Sequence, residues 1–168
     1  MVVVANQKIA VCPGSFDPIT WGHVDIIRRA AAMFDQVIVV VMINSGKHPS
    51  FTAQERVEMI KRCTKDIAHV TVDVYEGLLA EYVRLKKAHA IVRGLRAVSD
   101  FEYEFQMALT NKKLNQDAET VFFTTRAENM YLSSSIVRSI ASMNGDISDF
   151  VPACIHDDIK KRFSKKGS

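Results

Sequence analysis

The chain has 168 residues, of which 48% are hydrophobic and 24% are charged, a composition typical of a one-domain globular protein. Its net charge of +3 is too small to indicate nucleic-acid binding, but it suits a small anionic substrate. The longest apolar run, residues 37–43, is too short to span a membrane. We therefore expect neither a nucleic-acid partner nor a membrane-bound protein.

Strand and helix patterns alternate along the chain. Apolar runs predict strands at residues 9–12, 37–43, 70–75, 90–92 and 120–124. Most of these runs are continuous, as in a parallel sheet that is covered on both faces. Helical patterns fall at residues 24–34, 52–64, 78–88, 99–115, 134–143 and 152–163. The alternation predicts an α/β fold, a doubly wound (Rossmann-like) five-stranded parallel sheet with helices on both faces.

Local signals mark several helix ends. Two capping boxes are predicted, one with Thr52 as N-cap and Glu55 three residues later, the other with Ser99 and Glu102. The sequence 144–146 (Asn-Gly-Asp) predicts the end of the fifth helix, and Pro152 the start of the last.

The chain shows no linker or repeat, so a single domain over residues 1–168 is expected. It would have a short flexible N-terminus and a basic C-terminal tail, residues 160–166. No secretory signal is visible, because polar residues interrupt the N-terminal apolar stretch. A cytoplasmic location follows.

The three cysteines are Cys12, Cys63 and Cys154, and no two are close in sequence. Without a Cys-x-x-Cys or Cys/His cluster, no zinc site is expected; no carboxylate cage for another metal is seen either. Cys12 and Cys63 lie in apolar patterns and are predicted to be small core residues. An odd number of cysteines without a framework fits a reducing cytosol.

The most informative segment is the turn after the first strand, Gly14-Ser15-Phe16-Asp17-Pro18-Ile19-Thr20-Trp21-Gly22-His23. A strand, a turn and a helix start together direct backbone N–H groups at an anion. His23, in the first helical turn, adds a donor to a phosphate that the helix dipole already favours. Gly22 lets a nucleotide pack close to the helix start.

A second segment follows the fourth strand, Arg93-Gly94-Leu95-Arg96. In a doubly wound sheet, the loops after strands one and four face each other where the strand order reverses. One loop would offer backbone donors and the other two guanidinium groups, a combination that holds a polyphosphate. The sequence lacks both Gly-x-Gly-x-x-Gly and a Walker A motif, which argues against a dinucleotide dehydrogenase and a P-loop enzyme.

Three further parts of the chain bear on this site. Ser133, Ser134 and Ser135 stand at one helix start, where ordinary capping needs a single hydroxyl, so a second phosphate contact is predicted. Lys47 follows the second strand and is a candidate substrate ligand. Glu104 lies one turn into a helix, and the sequence does not decide whether it is a plain surface carboxylate.

From residue 9 to about residue 163, the chain resembles the phosphopantetheine adenylyltransferases, members of the nucleotidyltransferases marked by a T/H-x-G-H sequence. Thr20-Trp21-Gly22-His23 carries the superfamily resemblance. The block Arg93-Gly94-Leu95-Arg96-Ala97-Val98-Ser99-Asp100-Phe101-Glu102-Tyr103-Glu104 carries the resemblance to this member. The resemblance implies transfer of AMP from ATP to 4′-phosphopantetheine, giving dephospho-CoA and pyrophosphate. It also implies Mg²⁺, which would arrive with the nucleotide, a cytoplasmic location and a hexamer.

The resemblance also implies a role for individual residues. His23, Lys47 and Arg96 would be catalytic, and His23 would stabilise the transition state. Phosphopantetheine would be bound by Ser15, Lys47, Leu79 and Arg93. ATP would be bound by Ser15, Phe16, His23, Gly94, Leu95, Arg96, Glu104, Asn129, Met130, Tyr131, Leu132, Ser133, Ser134 and Ser135. The 129–131 stretch departs from the aromatic-rich sequence of some members.

Three other interpretations stay open at this stage. The first is a related nucleotidyltransferase acting on nicotinamide mononucleotide or a phosphorylated alcohol. The second is a class I aminoacyl-tRNA synthetase fragment, which the short length and the missing Lys-Met-Ser-Lys-Ser sequence disfavour. The third is a catalytically silent nucleotide-binding module, which the intact Lys47, His23, Arg93 and Arg96 disfavour.

Overall fold

The computed structural model describes residues 7–164. The predicted flexible N-terminus and the last part of the basic tail, Lys165 and Lys166, lie outside the described residues. The strands are β1 (Ile9–Gly14), β2 (Gln36–Ile43), β3 (Val70–Glu76), β4 (Ala90–Leu95) and β5 (Glu119–Thr124). The α-helices are α1 (Trp21–Ala31), α2 (Ala53–Thr64), α3 (Leu79–Leu85), α4 (Val98–Leu114), α5 (Ser134–Ser142) and α6 (His156–Phe163). Two 3-10 helices cover Ala127–Asn129 and Ala153–Ile155.

The five strands form one parallel sheet in the order β3-β2-β1-β4-β5. This order confirms the predicted doubly wound fold. The chain runs outward from β1 to β3 and then crosses back to β4, so the direction reverses between β1 and β4. Ala10 aligns with Ala90 and Val11 with Ile91 in that central pair. The carboxyl ends of β1 and β4 therefore meet at the switch point, as the sequence predicted.

Helices cover both faces of the sheet. The larger core joins alternate residues of β1 and β2, such as Cys12 and Val39, to the apolar sides of α1, α2, α5 and α6. The smaller core joins the opposite residues, such as Val11 and Val40, to Tyr82 of α3. Because both sides of each central strand are buried, these strands are continuous apolar runs. The same packing buries Cys12 and Cys63, as predicted.

Several helix ends differ from the predictions. The capping box at Thr52 is confirmed, since Glu55 N–H donates to Thr52 Oγ1 at 3.2 Å and Thr52 N–H to Glu55 Oε2 at 2.7 Å. The capping box at Ser99 is wrong. The helix α4 starts at Val98 with extended Ala97 as N-cap, and Asp100 N–H donates to the Ala97 carbonyl at 3.1 Å.

The bounds of three other helices also differ from the predicted bounds. The helix α1 starts at Trp21, three residues before the predicted start, because Thr20 is its N-cap. The helix α3 stops early, at a turn in which Lys87 has a φ of 51°. The predicted last helix is divided into a 3-10 turn and α6. The stop after α5 is confirmed: Asn144 adopts a φ of 58°, and Gly145 N–H donates to the Ile140 carbonyl at 2.9 Å.

Candidate active site

A cavity of about 530 Å³ opens at the switch point, beyond the carboxyl ends of β1 and β4. Its size lies within the usual range for small-molecule sites. It is lined by twelve of the predicted site residues: Ser15, Phe16, His23, Arg93, Gly94, Arg96, Glu104, Asn129, Leu132, Ser133, Ser134 and Ser135. The fold thus brings the three predicted segments together in one place.

The turn between β1 and α1 forms one wall of this cavity. Phe16 is buried and adopts a φ of 48°, which non-glycine residues rarely do. Its ring packs so closely on the backbone that a Cβ at Gly14 would lie 2.9 Å from it. The same ring meets the His23 ring edge-on, with centroids 5.1 Å apart. Gly14 is therefore needed for close packing, and Phe16 helps to fix the imidazole.

His23 is held in one tautomer by the start of its own helix. Its Nδ1 accepts the backbone N–H of Thr20 at 3.0 Å, and Thr20 Oγ1 lies at the same distance. Burial first, and then the positive charges of Arg93 and Arg96, together lower the pKa of His23 to about 4. The ring is therefore neutral at pH 7. Because Nδ1 is an acceptor, the ring proton is on Nε2, which makes His23 a hydrogen-bond donor and not a base.

Three residues that the sequence did not single out hold this turn in place. Arg56 of α2, only 4% exposed, donates from Nη1 to the Ser15 carbonyl at 2.8 Å. The buried Asp17 carboxylate accepts the backbone N–H groups of Ser50 and Phe51, each at 2.9 Å. Arg138 of α5 donates to the Asp17 carbonyl. The sequence could have indicated Arg56, because it places a charged residue within the apolar face of a helix.

Arg93 and Glu104 form a two-pronged ion pair at the side of the cavity. Arg93 Nε donates to Glu104 Oε2 at 2.8 Å and Nη2 to Oε1 at 2.5 Å. Its Nη1 donates to the Pro13 carbonyl at 2.6 Å. Burial tends to lower the pKa of Arg93, and the Glu104 carboxylate outweighs it, so this pKa is raised. Glu104 is therefore a positioned partner of Arg93, and the alternative of a plain surface carboxylate is wrong.

Arg96 bridges the loop after β4 and the loop before α5. Its Nη1 donates to the Leu132 carbonyl at 3.0 Å, and its Nε donates to Asp100 Oδ2 at 3.1 Å. The side chain of Arg96 is still 41% exposed. It can therefore face a bound anion while it fixes the two loops relative to each other.

The three serines at the start of α5 all have partners within the protein. Ser133 Oγ is the N-cap acceptor of Ile136 N–H at 3.1 Å, and Ser134 Oγ donates to the Pro18 carbonyl at 2.8 Å. Ser135 Oγ accepts Arg138 Nη2 at 3.3 Å. Capping and packing thus account for hydroxyls that seemed in excess. Their contact with ATP stays a prediction, and the N–H groups of this helix start are its stronger support.

Five predicted site residues do not line the cavity. Lys47 is exposed in the turn after β2, and Leu79, at the start of α3, packs against the smaller core. Both lie on the same edge of the sheet as the cavity. Leu95 lies within β4 but outside the lining, and Met130 is half exposed. Tyr131 packs edge-on against Phe150, with centroids 5.7 Å apart.

The electrostatic character of the cavity suits a polyphosphate. Two guanidinium groups, a neutral imidazole with a free N–H, and the starts of α1 and α5 converge on it. Residues 7–164 contain no group of three or more His, Cys, Asp or Glu side chains that could hold a metal ion. The two carboxylates in the lining, Asp100 and Glu104, are paired with Arg96 and Arg93.

Comparison with known proteins places this geometry in a family. The profile of the cytidylyltransferase-like family matches residues 11–140. A phosphopantetheine adenylyltransferase of Caldanaerobacter subterraneus subsp. tengcongensis is 52% identical over 95% of this chain and 99% of its own length. Another, from Geobacter sulfurreducens, is 53% identical over 94% and 96%.

Solved structures support the fold alone. A putative nicotinate-nucleotide adenylyltransferase of Vibrio parahaemolyticus superimposes with a TM-score of 0.68 at 15% identity, over 95% of this chain and 98% of that one. Nicotinic acid mononucleotide adenylyltransferase of Plasmodium falciparum complexed with NaAD gives a TM-score of 0.66 at 15% identity, over 93% and 96%.

Proposed function

This chain belongs to the phosphopantetheine adenylyltransferases of the cytidylyltransferase-like family, and from that membership we propose how its site performs the reaction. It is an adenylyltransferase that makes dephospho-CoA from ATP and 4′-phosphopantetheine. We infer that the phosphate of 4′-phosphopantetheine attacks the α-phosphorus of ATP in line and that pyrophosphate leaves. The whole of residues 1–168 would form one catalytic domain.

Positioning and electrostatic stabilisation would supply most of the rate enhancement. The attacking phosphate is already anionic at neutral pH, so no general base is required. The Nε2–H of His23 would donate to an oxygen of the α-phosphate, where negative charge grows in the transition state. Arg96 would neutralise the phosphate chain, while Arg93 and Lys47 would hold the phosphate of phosphopantetheine. The observation that carries this proposal is the neutral tautomer of His23, in which Nδ1 accepts the N–H of Thr20 and Nε2 is left as a donor.

A direct transfer makes a stereochemical prediction. With ATP made chiral at the α-phosphorus, we expect inversion at that centre, because one in-line displacement inverts it. Two displacements through an adenylated enzyme would retain the configuration. Retention, or an AMP–protein adduct isolated after quenching, would overturn the proposal. The serine cluster lacks the base that a nucleophile needs, since Ser134 Oγ already donates to a carbonyl and His23 cannot accept a proton at Nε2.

Lys47 is proposed to bind the acceptor. Lys47→Ala should weaken binding of phosphopantetheine about 10-fold, as for loss of one hydrogen bond to a charged group, with little change in ATP affinity. Titration calorimetry with each substrate measures both constants. Lys65→Ala, which removes an exposed charge at the end of α2, is the matched control. An ATP affinity that falls more than the phosphopantetheine affinity would contradict the assignment.

We propose that the metal is Mg²⁺ and that it is carried by the triphosphate. The described residues supply no metal cage, which fits an ion held mainly by phosphate oxygens and water. When bound, the ion would supply charge neutralisation to the triphosphate, while the residues named above would orient ATP and the acceptor.

We propose a homo-oligomer, with a hexamer as the expected state. The helix α4 supports this proposal, since it carries large apolar side chains that are exposed in the single chain. Six of them are Phe101, Tyr103, Phe105, Met107, Leu109 and Leu114. The number six comes from the resemblance to the family alone. Light scattering should report six chain masses at micromolar concentration, and Phe105→Asp should reduce the assembly. A wild-type chain that stays monomeric would remove the proposal.

A cytoplasmic location is proposed with the function. No helix within residues 7–164 is both long and apolar enough to cross a membrane. The three cysteines are free, as they would be in a reducing compartment.

One alternative from the sequence, a catalytically silent nucleotide-binding module, is tested by pyrophosphate exchange. When dephospho-CoA and labelled pyrophosphate are added, an active enzyme should produce labelled ATP.

A further inference from the structure

Two cysteines that are far apart in sequence lie side by side outside the cavity. Cys63, near the end of α2, and Cys154, in the 3-10 helix before α6, have their Sγ atoms 3.6 Å apart. Both are free thiols in the structure. A disulfide needs its sulfur atoms at about 2.05 Å, so rotation of the two side chains has to close the rest of the 3.6 Å separation.

The two thiols differ in how easily a reagent can reach them. Cys63 is 6% exposed, whereas Cys154 is an exposed residue. Burial raises the pKa of the Cys63 thiol, and the neighbouring Cys154 raises it further. The guanidinium of Arg62 lies beside the pair and donates to the Cys154 carbonyl at 3.0 Å. Arg62 is itself paired with Asp158, and of the two thiols Cys154 is the one that solvent reaches.

We propose that Cys63 and Cys154 form an oxidisable dithiol that reacts with low-molecular-weight disulfides. The Cys154 thiolate attacks one sulfur of the small disulfide, and the other half leaves as a thiolate. Cys63 then loses its proton to solvent and attacks Cys154 Sγ, which releases the second half as a thiol. The protein loses two protons and two electrons, and the small disulfide takes them up as it becomes two small thiols.

The chemistry of the acceptor gives one source of such disulfides. Phosphopantetheine and its product end in a thiol, so their oxidised forms belong to this class; this step rests on the function assigned above. Glutathione disulfide is the general alternative. Either oxidant would join α2 to the C-terminal segment. Because α2 also carries Arg56, which holds the Ser15 carbonyl, the cross-link would brace the helix behind the catalytic turn.

The test uses the full chain, reduced and then incubated without oxygen with glutathione disulfide or with pantethine, the disulfide of pantetheine. Mass spectrometry of the intact chain should show a mass lower by two hydrogens. After the remaining free thiols are alkylated in denaturant, peptide mapping should show a Cys63–Cys154 cross-link. The buried Cys12, in β1, is the internal control and should stay reduced. The cross-linked protein should melt on the order of 5–10 °C higher, since the bond closes a long loop.

Two variants resolve the order of the steps. Cys63→Ala should accumulate a stable mixed disulfide at Cys154, and Cys154→Ser should stay unmodified at Cys63. A wild-type chain that gives no cross-link, or that keeps the mixed disulfide, would overturn the proposal. Modification by pantethine alone would assign the oxidant to the pantetheine class, and modification by both to small disulfides in general. The readouts are mass and Tm, so failure here leaves the assignment as an adenylyltransferase untouched.

Discussion

His23→Ala is expected to lower kcat by about 10²-fold or more, while the affinity for ATP changes much less. The reason is that the Nε2–H meets charge that develops only in the transition state, and removal of one such donor typically costs this much. Steady-state kinetics combined with ATP titration separates the two quantities. His156→Ala, at the start of α6, removes a histidine far along the chain from the cavity segments and is the control.

The state of His23 also predicts the pH profile. Its pKa is lowered to about 4, so the neutral donor is present throughout the range from pH 5 to 8 and is lost only as the pH falls through that value. Protonation would place a hydrogen on Nδ1, where it would face the N–H of Thr20 and break the hydrogen bond between them. The kcat profile should therefore show no histidine step near pH 6.5. Because the acceptor phosphate has a second pKa of about 6, the wild-type profile is compared with that of His23→Ala. A step that the wild type shows and the variant lacks, or a kcat of His23→Ala within a few-fold of wild type, would show that the proposed role is wrong.

The sequence predicted the sheet and the place of the site because both depend on regular signals. Continuous apolar runs revealed parallel strands, and strand order then placed the loops after β1 and β4 together. The helix start at Thr20 was missed because its capping partner is His23 rather than Glu or Gln. The end of α3 also differs by three residues, at a turn where Lys87 adopts a positive φ without a glycine to signal it.

The sequence could not predict contacts between residues that lie far apart along the chain. The hydroxyls of Ser133, Ser134 and Ser135 seemed in excess until the fold placed the Pro18 carbonyl and Arg138 beside them. The pairing of Cys63 with Cys154 spans 91 positions and leaves no trace in cysteine spacing. Such contacts depend on the angle at which helices pack, which local patterns do not determine.

Arg93→Ala is expected to lower kcat/KM by at least about 10²-fold. It should weaken the binding of phosphopantetheine more than the binding of ATP. Two effects combine. The guanidinium no longer meets the acceptor phosphate, and the Glu104 carboxylate, whose side chain is only 12% exposed, is left without its cation next to an anionic substrate. Arg93→Lys should recover part of the loss, because it keeps the charge but not the two-pronged geometry.

A double variant separates the role of Arg93 in the fold from its role with substrate. Arg93→Ala alone should lower the free energy of unfolding by about 1–3 kcal/mol, because the mostly buried Glu104 carboxylate loses its partner. Adding Glu104→Ala removes that carboxylate, so most of this stability should return. Activity should not return with it, since the acceptor phosphate still lacks its cation. If the double variant recovers turnover together with stability, Arg93 acts only through the fold; if acceptor affinity stays at the wild-type value in both variants, Arg93 does not bind the acceptor.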